Sequence, residues 1–267
     1  ARADGRIIAI ALPAFAGAGM RQMKPHRIAM WSGPRNISTA MMRAWENRSD
    51  CSVWDEPLYG YYLSKTDLPH PGVEEIIAAQ GTDWRSIVDR CAGNPPDQKQ
   101  VFYQKHMTLH LLPEIDRQWL SSLTNCFLIR EPEPVIASYA AVREAVTLED
   151  IGFVQQAELF EYVTRISGET PLVIDSKEFL LNPEPMLRSI CIRLDLEFEA
   201  SMMSWPTGPR ESDGIWGKYW YESVWNSSGF SAYQEKPLVL GSRQQSIADQ
   251  ARPYYEELFQ HRIKPET

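Results

Sequence analysis

Apolar residues run along this chain in short blocks, and between the blocks they recur every three or four positions. "RIAMWSG" (27–33) predicts a strand, because an unbroken apolar run suits burial on both faces. A helical pattern follows from about Ser38 to Asn47. "CSVWDEPL" (51–58) predicts a second strand, and "VEEIIAAQ" and "WRSIVDRCA" predict helices. "QVFYQKHM" (100–107) predicts a third strand, with a helix over "LPEIDRQWL" after it. "NCFLIREP" (125–132) predicts a fourth, with "PVIASYAAVREA" as its helix. "LEDIGFVQQAELFEYVTRI" (148–166) keeps the spacing throughout and predicts one long amphipathic helix. "PLVIDS" (171–176) predicts a fifth strand, and "PEPMLRSICIRLDL" opens with proline and acid, as helix starts do. Strands alternating with helices predict an α/β fold, a three-layer parallel sheet with helices on both faces. Ligands of such sheets sit at the carboxyl ends of the strands.

Two regions break the rhythm. Residues 201–245, rich in Trp, Tyr, Gly and Pro, predict a long loop with a short helix. Long loops of that kind in compact domains are often functional. "QQSIADQARPYYEELFQHRI" then returns to helix. Residues 1–23 contain "RIIAIALPAFAGAG", shorter than the ~20 apolar residues that span a bilayer and lacking a convincing signal-peptide cleavage site. They are expected to be a disordered extension ahead of one domain over 24–267. No later segment is apolar enough to cross a membrane.

Composition narrows the partners. A net charge of −8 argues against non-specific binding to nucleic acid or to an anionic membrane. The four cysteines (Cys51, Cys91, Cys126, Cys191) form no CxxC and read as reduced and buried, which suits a cytoplasmic protein.

"SGPRNIST" (32–39) joins the first strand to its helix. Amides at a helix N-terminus lack internal partners and attract anions. Gly33 and Pro34 shape the turn, Arg35 adds a cation, and Ser38 and Thr39 add hydroxyls. The stretch fails the GxxxxGK[ST] pattern of nucleotide-binding P-loops at both Gly and Lys. Taken alone, it reads equally as a plain turn with Ser38 as the helix cap. "LIREPEPVIASY" (128–139) adds Arg130 at the end of the fourth strand and Ser138 eight residues on. These two could meet on one phosphate, or Arg130 could sit in a surface ion pair.

Together these stretches resemble the sulfotransferase family. "PRNIST" (34–39) is similar to the family's first loop, and "REPEPVIASY" (130–139) to its Arg-x-Pro…Ser-Tyr motif. "DSKEFLLNPEPMLRSICIRLDLEFE" (175–199) follows the family's later helical segment, with Pro183, Leu187, Ile190 and Leu194 in step. "GIWGK" (214–218) looks like its late Gly-x-Trp loop. The resemblance implies a P-loop-NTPase-like fold and 3′-phosphoadenosine 5′-phosphosulfate (PAPS) as donor. It assigns the donor contacts to Gly33, Pro34, Arg35, Asn36, Ile37, Ser38, Thr39, Arg130 and Ser138. Arg210, Gly214, Trp216 and Lys218 would lie beside the 3′-phosphate. Ile37 stands where the family usually has glycine, so the loop must close differently.

Sulfuryl transfer, like phosphoryl transfer, runs in line through a loose transition state, so positioning and charge stabilisation dominate. Arg35 would stabilise charge on the departing oxygen. A sulfuryl group carries less charge than a phosphoryl, so no metal is expected, and His106 and His110 at helical spacing are not read as a zinc site. The acceptor hydroxyl needs a base. The resemblance offers His106 in "QKHM" or Glu56 in "WDEPLYGYYL", with Tyr59, Tyr61 and Tyr62 as acceptor-pocket candidates. The plainer readings are His106 as a buried structural histidine and Glu56 as a partner of Arg35 or Lys105. The acceptor is expected to be a small molecule or a glycan, and a homodimer is left open. The competing functions are a non-catalytic nucleotide- or partner-binding module and a P-loop kinase.

Overall fold

The computed structural model describes residues 24–66, 68, 70–141, 145–235 and 237–265. The expectation for residues 1–23 falls outside them. Five strands form one parallel sheet: β1 (His26–Ser32), β2 (Cys51–Asp55), β3 (Val101–Met107), β4 (Thr124–Ile129) and β5 (Leu172–Asp175), in the order β2-β3-β1-β4-β5. β1 is central, and its last five residues are all buried. Ala29 and Trp31 pack into one core and Ile28 and Met30 into the other, so its apolar run serves both faces.

Helices cover each face. α1 (Ser38–Glu46) and α8 (Pro183–Arg193) close the Ile28/Met30 side. α4 (Trp84–Ala92), α5 (Pro132–Ala140), α6 (Phe153–Ser167) and α11 (Ser242–Phe259) close the other. α2 (Tyr59–Lys65) and α3 (Val73–Gln80) follow β2, and α7 (Ser176–Leu181) follows β5. This is the predicted three-layer arrangement.

Two local expectations fail for identifiable reasons. The helix expected over 148–166 is broken by Gly152, whose left-handed backbone (φ 72°) separates a short 3₁₀ turn, Glu149–Ile151, from α6. "LPEIDRQWL" forms no α-helix: Pro113 opens a turn closed by the Ile115 N–H on the Leu112 carbonyl (3.1 Å), and a 3₁₀ segment follows over Gln118–Ser122. Within 201–245 two short helices occur, α9 (Gly217–Trp220) and α10 (Glu222–Trp225). The helix expected over "PVIASYAAVREA" is α5, which ends at Ala140; residues 142–144 lie outside the described residues.

Candidate active site

A cavity of about 450 Å³ opens at the carboxyl ends of the strands, between the loops after β1, β2, β3 and β4. All seven residues Gly33 to Thr39 line it. The turn in this loop is made at Arg35, which adopts a left-handed backbone (φ 57°). A non-glycine residue there costs about 1 kcal/mol or more, and such strain tends to be kept at functional sites. Ile37, at φ −85°, needs no glycine. Gly33 does: a Cβ there would meet the Ile151 carbonyl oxygen at 2.9 Å. Ser38 is not the cap. Ile37 holds that position, and no described side chain caps the first turn of α1, which leaves its N–H groups toward the cavity.

β4 fixes the loop from the side. Asn36 Nδ2 donates to the Leu128 carbonyl (3.0 Å), and Asn36 Oδ1 accepts from the Ile37 N–H (2.8 Å). Arg130 Nη1 donates to the Arg35 carbonyl, and Arg35 Nε donates to Ser138 Oγ (2.9 Å) on α5. Arg35, Arg130 and Ser138 therefore meet at one end of the cavity. Neither guanidinium bonds a described carboxylate. Burial, and then the neighbouring Arg35 charge, pushes Arg130 below its usual range. Arg35 and Arg130 thus lie together beside a helix N-terminus, a setting that favours anions.

The other end is built on β2 and β3. Glu56 follows β2 in a second left-handed conformation (φ 40°), its N–H on the Lys105 carbonyl (2.9 Å). Gln80, at the end of α3, clamps this turn by donating to the Glu56 carbonyl (3.0 Å) and accepting from the Gly60 N–H (2.6 Å). Lys105 Nζ donates to Asp55 Oδ1 (2.9 Å), Glu56 Oε1 and the Tyr221 hydroxyl (2.8 Å). Tyr221 in turn donates to Asp55 Oδ2 (2.7 Å). Burial opposes the Lys105 charge, but Asp55 and Glu56 outweigh it and hold the ammonium above the usual lysine range. Glu56 is thus a partner of Lys105, as the plainer sequence reading had it, and it also lines the cavity.

His106 does not reach the cavity. Strand alternation sends Lys105 and Met107 toward it and His106 to the opposite face. There His106 stacks on Trp31 (centroids 4.3 Å apart), bonds Gln104 Oε1 (3.1 Å), and is pushed down to about 3 by burial and then by His110 and Lys105. His110, which sequence reasoning weighed only as a metal ligand, lines the cavity instead. Its Nδ1 lies 3.8 Å from Glu56 Oε2 and has no hydrogen-bond partner among the described residues. Burial, and then Lys105, holds it well below the usual histidine range, hence neutral. The clue in the sequence is "HLLP", which starts three residues beyond the strand end.

The late loop is the largest departure from expectation. Arg210, Gly214, Trp216 and Lys218 do not line the cavity. Arg210 pairs with Glu46 (2.9 Å), and Lys218 pairs on the surface with Glu75 (2.7 Å). Gly214 donates its N–H to Asp55 Oδ2 (3.0 Å), while Trp216 is buried and donates to the Tyr221 hydroxyl (3.0 Å). The Gly-x-Trp spacing has a packing cause, since a Cβ at Gly214 would fall 2.0 Å from the Trp216 ring. The residues after this loop do line the cavity: Trp220, Tyr221, Ser223 and Val224, and then "SSGFS" through Ser227, Gly229, Phe230 and Ser231. Phe230 packs on Phe179 (4.8 Å), close to Leu180 of α7, another lining residue. Its small-residue composition inside an aromatic stretch was the available signal. Among the described residues, no group of three or more His, Cys, Asp or Glu side chains is arranged to hold a metal, and no helix is long and apolar enough to cross a membrane.

A family model described as "Sulfotransferase domain" matches residues 26–262. The Arabidopsis thaliana "Branched-chain-amino-acid aminotransferase-like protein 2" is 30% identical over 234 residues, which cover 88% of this chain and 41% of that protein. The chain therefore spans about two fifths of that relative's length. Among solved structures, a sulfotransferase from Alicyclobacillus acidocaldarius aligns with TM-score 0.52 at 11% identity, covering 91% of this chain and 98% of that one. The sulfotransferase domain of the Synechococcus PCC 7002 olefin synthase aligns with TM-score 0.51 at 15% identity, covering 86% and 96%. At those identities the likeness is one of fold.

Proposed function

The chain belongs to the sulfotransferase domain family, and on that premise we propose that it moves a sulfuryl group from PAPS to a hydroxyl held beside Glu56. One observation carries the reading: Arg35, Arg130 and Ser138 converge on an uncapped helix N-terminus, and a carboxylate lines the same cavity. The loop amides and Arg35 bind the 5′-phosphosulfate end and stabilise charge on the oxygen that departs from sulfur. Arg130 and Ser138 hold the 3′-phosphate. Glu56 takes the proton of the acceptor hydroxyl as its oxygen bonds to sulfur. Lys105 orients Glu56.

His110 is a second candidate for the base, favoured by a buried Nδ1 beside Glu56 that has no hydrogen-bond partner among the described residues. The cytoplasmic setting expected from the sequence is part of the same reading, supported by four free buried cysteines. The aminotransferase of the relative's name is not carried over.

Calorimetry of 3′,5′-ADP without magnesium against ATP with magnesium tests the reading. Tight 3′,5′-ADP binding is expected. Preference for magnesium-ATP would favour a kinase, and binding of neither a non-catalytic module. In PAPS kinetics, Arg35→Ala is expected to lower kcat about 100-fold. Arg130→Ala should chiefly raise the KM for PAPS, by about 10-fold or more. Equal losses of kcat at saturating donor would refute that division of roles.

A further inference from the structure

Successive residues of a strand point to opposite faces. Asp55 ends β2 and Glu56 follows it, yet the left-handed turn at Glu56 (φ 40°) brings both carboxylates to one ammonium, Lys105 Nζ. The Tyr221 oxygen stands between them, 2.7 Å from Asp55 Oδ2 and 3.4 Å from Glu56 Oε1. Glu56, Lys105 and Tyr221 line the cavity, whereas Asp55 does not, and its side chain is 1% exposed. Asp55 accepts from Lys105, from Tyr221 and from the Gly214 N–H (3.0 Å), as an ionised carboxylate does. Burial pushes its carboxyl up, Lys105 holds it back, and Glu56 pushes it up again. The other titratable groups facing this cluster are Tyr103 of β3 and His110, whose ring is neutral. With two carboxylates on one ammonium, a single added proton removes the uncompensated charge. A neutral acid costs least where water is most excluded, and that place is Asp55.

We propose that the proton Glu56 takes from the acceptor hydroxyl passes through the Tyr221 hydroxyl to Asp55, which stores it away from the cavity. The inference rests on the sulfotransferase reading for the source of the proton. The acceptor O–H bond breaks as its oxygen bonds to sulfur and the bond from sulfur to the 5′-phosphate oxygen breaks, and the proton lands on Glu56. The Tyr221 oxygen accepts from Lys105 and from Trp216 Nε1, so Lys105 must release it first. Glu56 then gives its proton to that oxygen while the phenolic proton goes to Asp55 Oδ2. Tyr221 ends with one proton, as it began. Glu56 is again a carboxylate on Lys105, and Asp55 is a neutral acid. After the products leave, the proton returns by the same path to the open cavity. Tyr221 and Asp55 never touch the acceptor and act through Glu56.

Infrared spectroscopy of the whole protein tests this without an acceptor, because acidification adds the same single proton. A protonated-carboxyl band is expected to appear as pH falls. It should shift when aspartate is labelled with carbon-13 in its carboxyl, stay put when glutamate is so labelled, and vanish in Asp55→Asn. Glu56→Gln should move the band to lower pH, since one carboxylate then remains for one ammonium. That shift identifies Asp55 even if Asp55→Asn fails to fold. Tyr221→Phe keeps the ring beside Lys105 (5.1 Å) and removes only the hydroxyl. After a laser pH jump from a caged proton, the band should rise about tenfold more slowly in that variant. A band that follows the glutamate label, one that Asp55→Asn retains, or none before the protein unfolds overturns the proposal. So does an equal rate in Tyr221→Phe, which would send the proton through Lys105 instead. Calorimetry with 3′,5′-ADP separates the two readings: no binding, with the proton on Asp55, overturns the transfer reading and leaves the proton store standing.

Discussion

His106 and His110 stand four positions apart in one short stretch, yet they have opposite surroundings. His106 points from β3 into the core against Trp31, while His110 lies past the strand end on the cavity wall. Replacing His106 should therefore spare turnover, and replacing a cavity base should not. His106→Gln is expected to keep kcat within a few-fold of the parent, whereas Glu56→Gln or His110→Gln, whichever removes the base, should lower it by about 100-fold or more. A pH–rate profile of the two weaker enzymes assigns the proton acceptor: the variant that loses the acidic limb has lost the base. His106 also predicts a pH dependence of stability. Burial holds it at about 3, while in the unfolded chain it titrates near 6.5. Below that value the unfolded chain takes up a proton that the folded protein refuses, so stability falls with pH. Between pH 7.5 and 5.5 the parent should lose about 1.4 kcal/mol more than His106→Gln in urea unfolding. Equal losses would mean that the ring is protonated in the folded state.

At the level of elements, the active geometry depends on two left-handed turns, at Arg35 and at Glu56, each placed at the end of a strand. Neither is held by glycine. The first is tied to β4 through Asn36 and Arg130, and the second is clamped by Gln80 from α3. Gly60 reflects that clamp, since a Cβ there would meet Gln80 Cβ at 2.9 Å. Gln80 is a positioning residue: it touches the backbone that aims Glu56. Gln80→Leu removes both hydrogen bonds and is expected to cost about 1–2 kcal/mol of stability. It should lower kcat about tenfold without changing the affinity for 3′,5′-ADP. Gln80→Glu keeps the acceptor for Gly60 and should lie between. A loss of stability with an unchanged kcat would make the clamp purely structural.

Across the whole molecule, a buried ionic network ties the late loop to the helix that begins at the cavity. Arg43 Nη2 on α1 donates to both Asp213 oxygens (2.5 and 2.6 Å), and both side chains are almost wholly buried. Asp213 also accepts from the Arg210 N–H and from Trp225 Nε1 (each 2.9 Å). From there Gly214 reaches Asp55, and Asp55 reaches Tyr221 and Lys105. Helix α1, the late loop and the Glu56 end of the cavity are thus one connected assembly. Asp213→Ala would leave the Arg43 guanidinium buried beside Glu46 alone. A loss of up to about 3 kcal/mol in urea unfolding is expected, because Glu46 still compensates part of the buried Arg43 charge, whereas a wholly uncompensated one costs about 3–5 kcal/mol. A loss under about 1 kcal/mol would show that water reaches Arg43 readily.

The alternation of strands and helices, the parallel sheet and the strand-to-helix turn with its cation and hydroxyls were legible in the sequence, because each is a local matter of periodicity or of residue type around a turn. The pairing of "PRNIST" with "REPEPVIASY" was legible too, through spacing. What the tertiary structure alone decided is direction and distant contact. Whether His106 or His110 faces the cavity depends on where β3 ends. Arg35 meets Ser138 across 103 residues, and Tyr221 meets Asp55 across 166. "GIWGK" resembles a phosphate loop, yet Trp216 folds over Gly214 into the core and the cavity is lined by residues after it, between Trp220 and Ser231. A motif fixes which groups are available. Packing against elements far along the chain fixes which of them face the ligand.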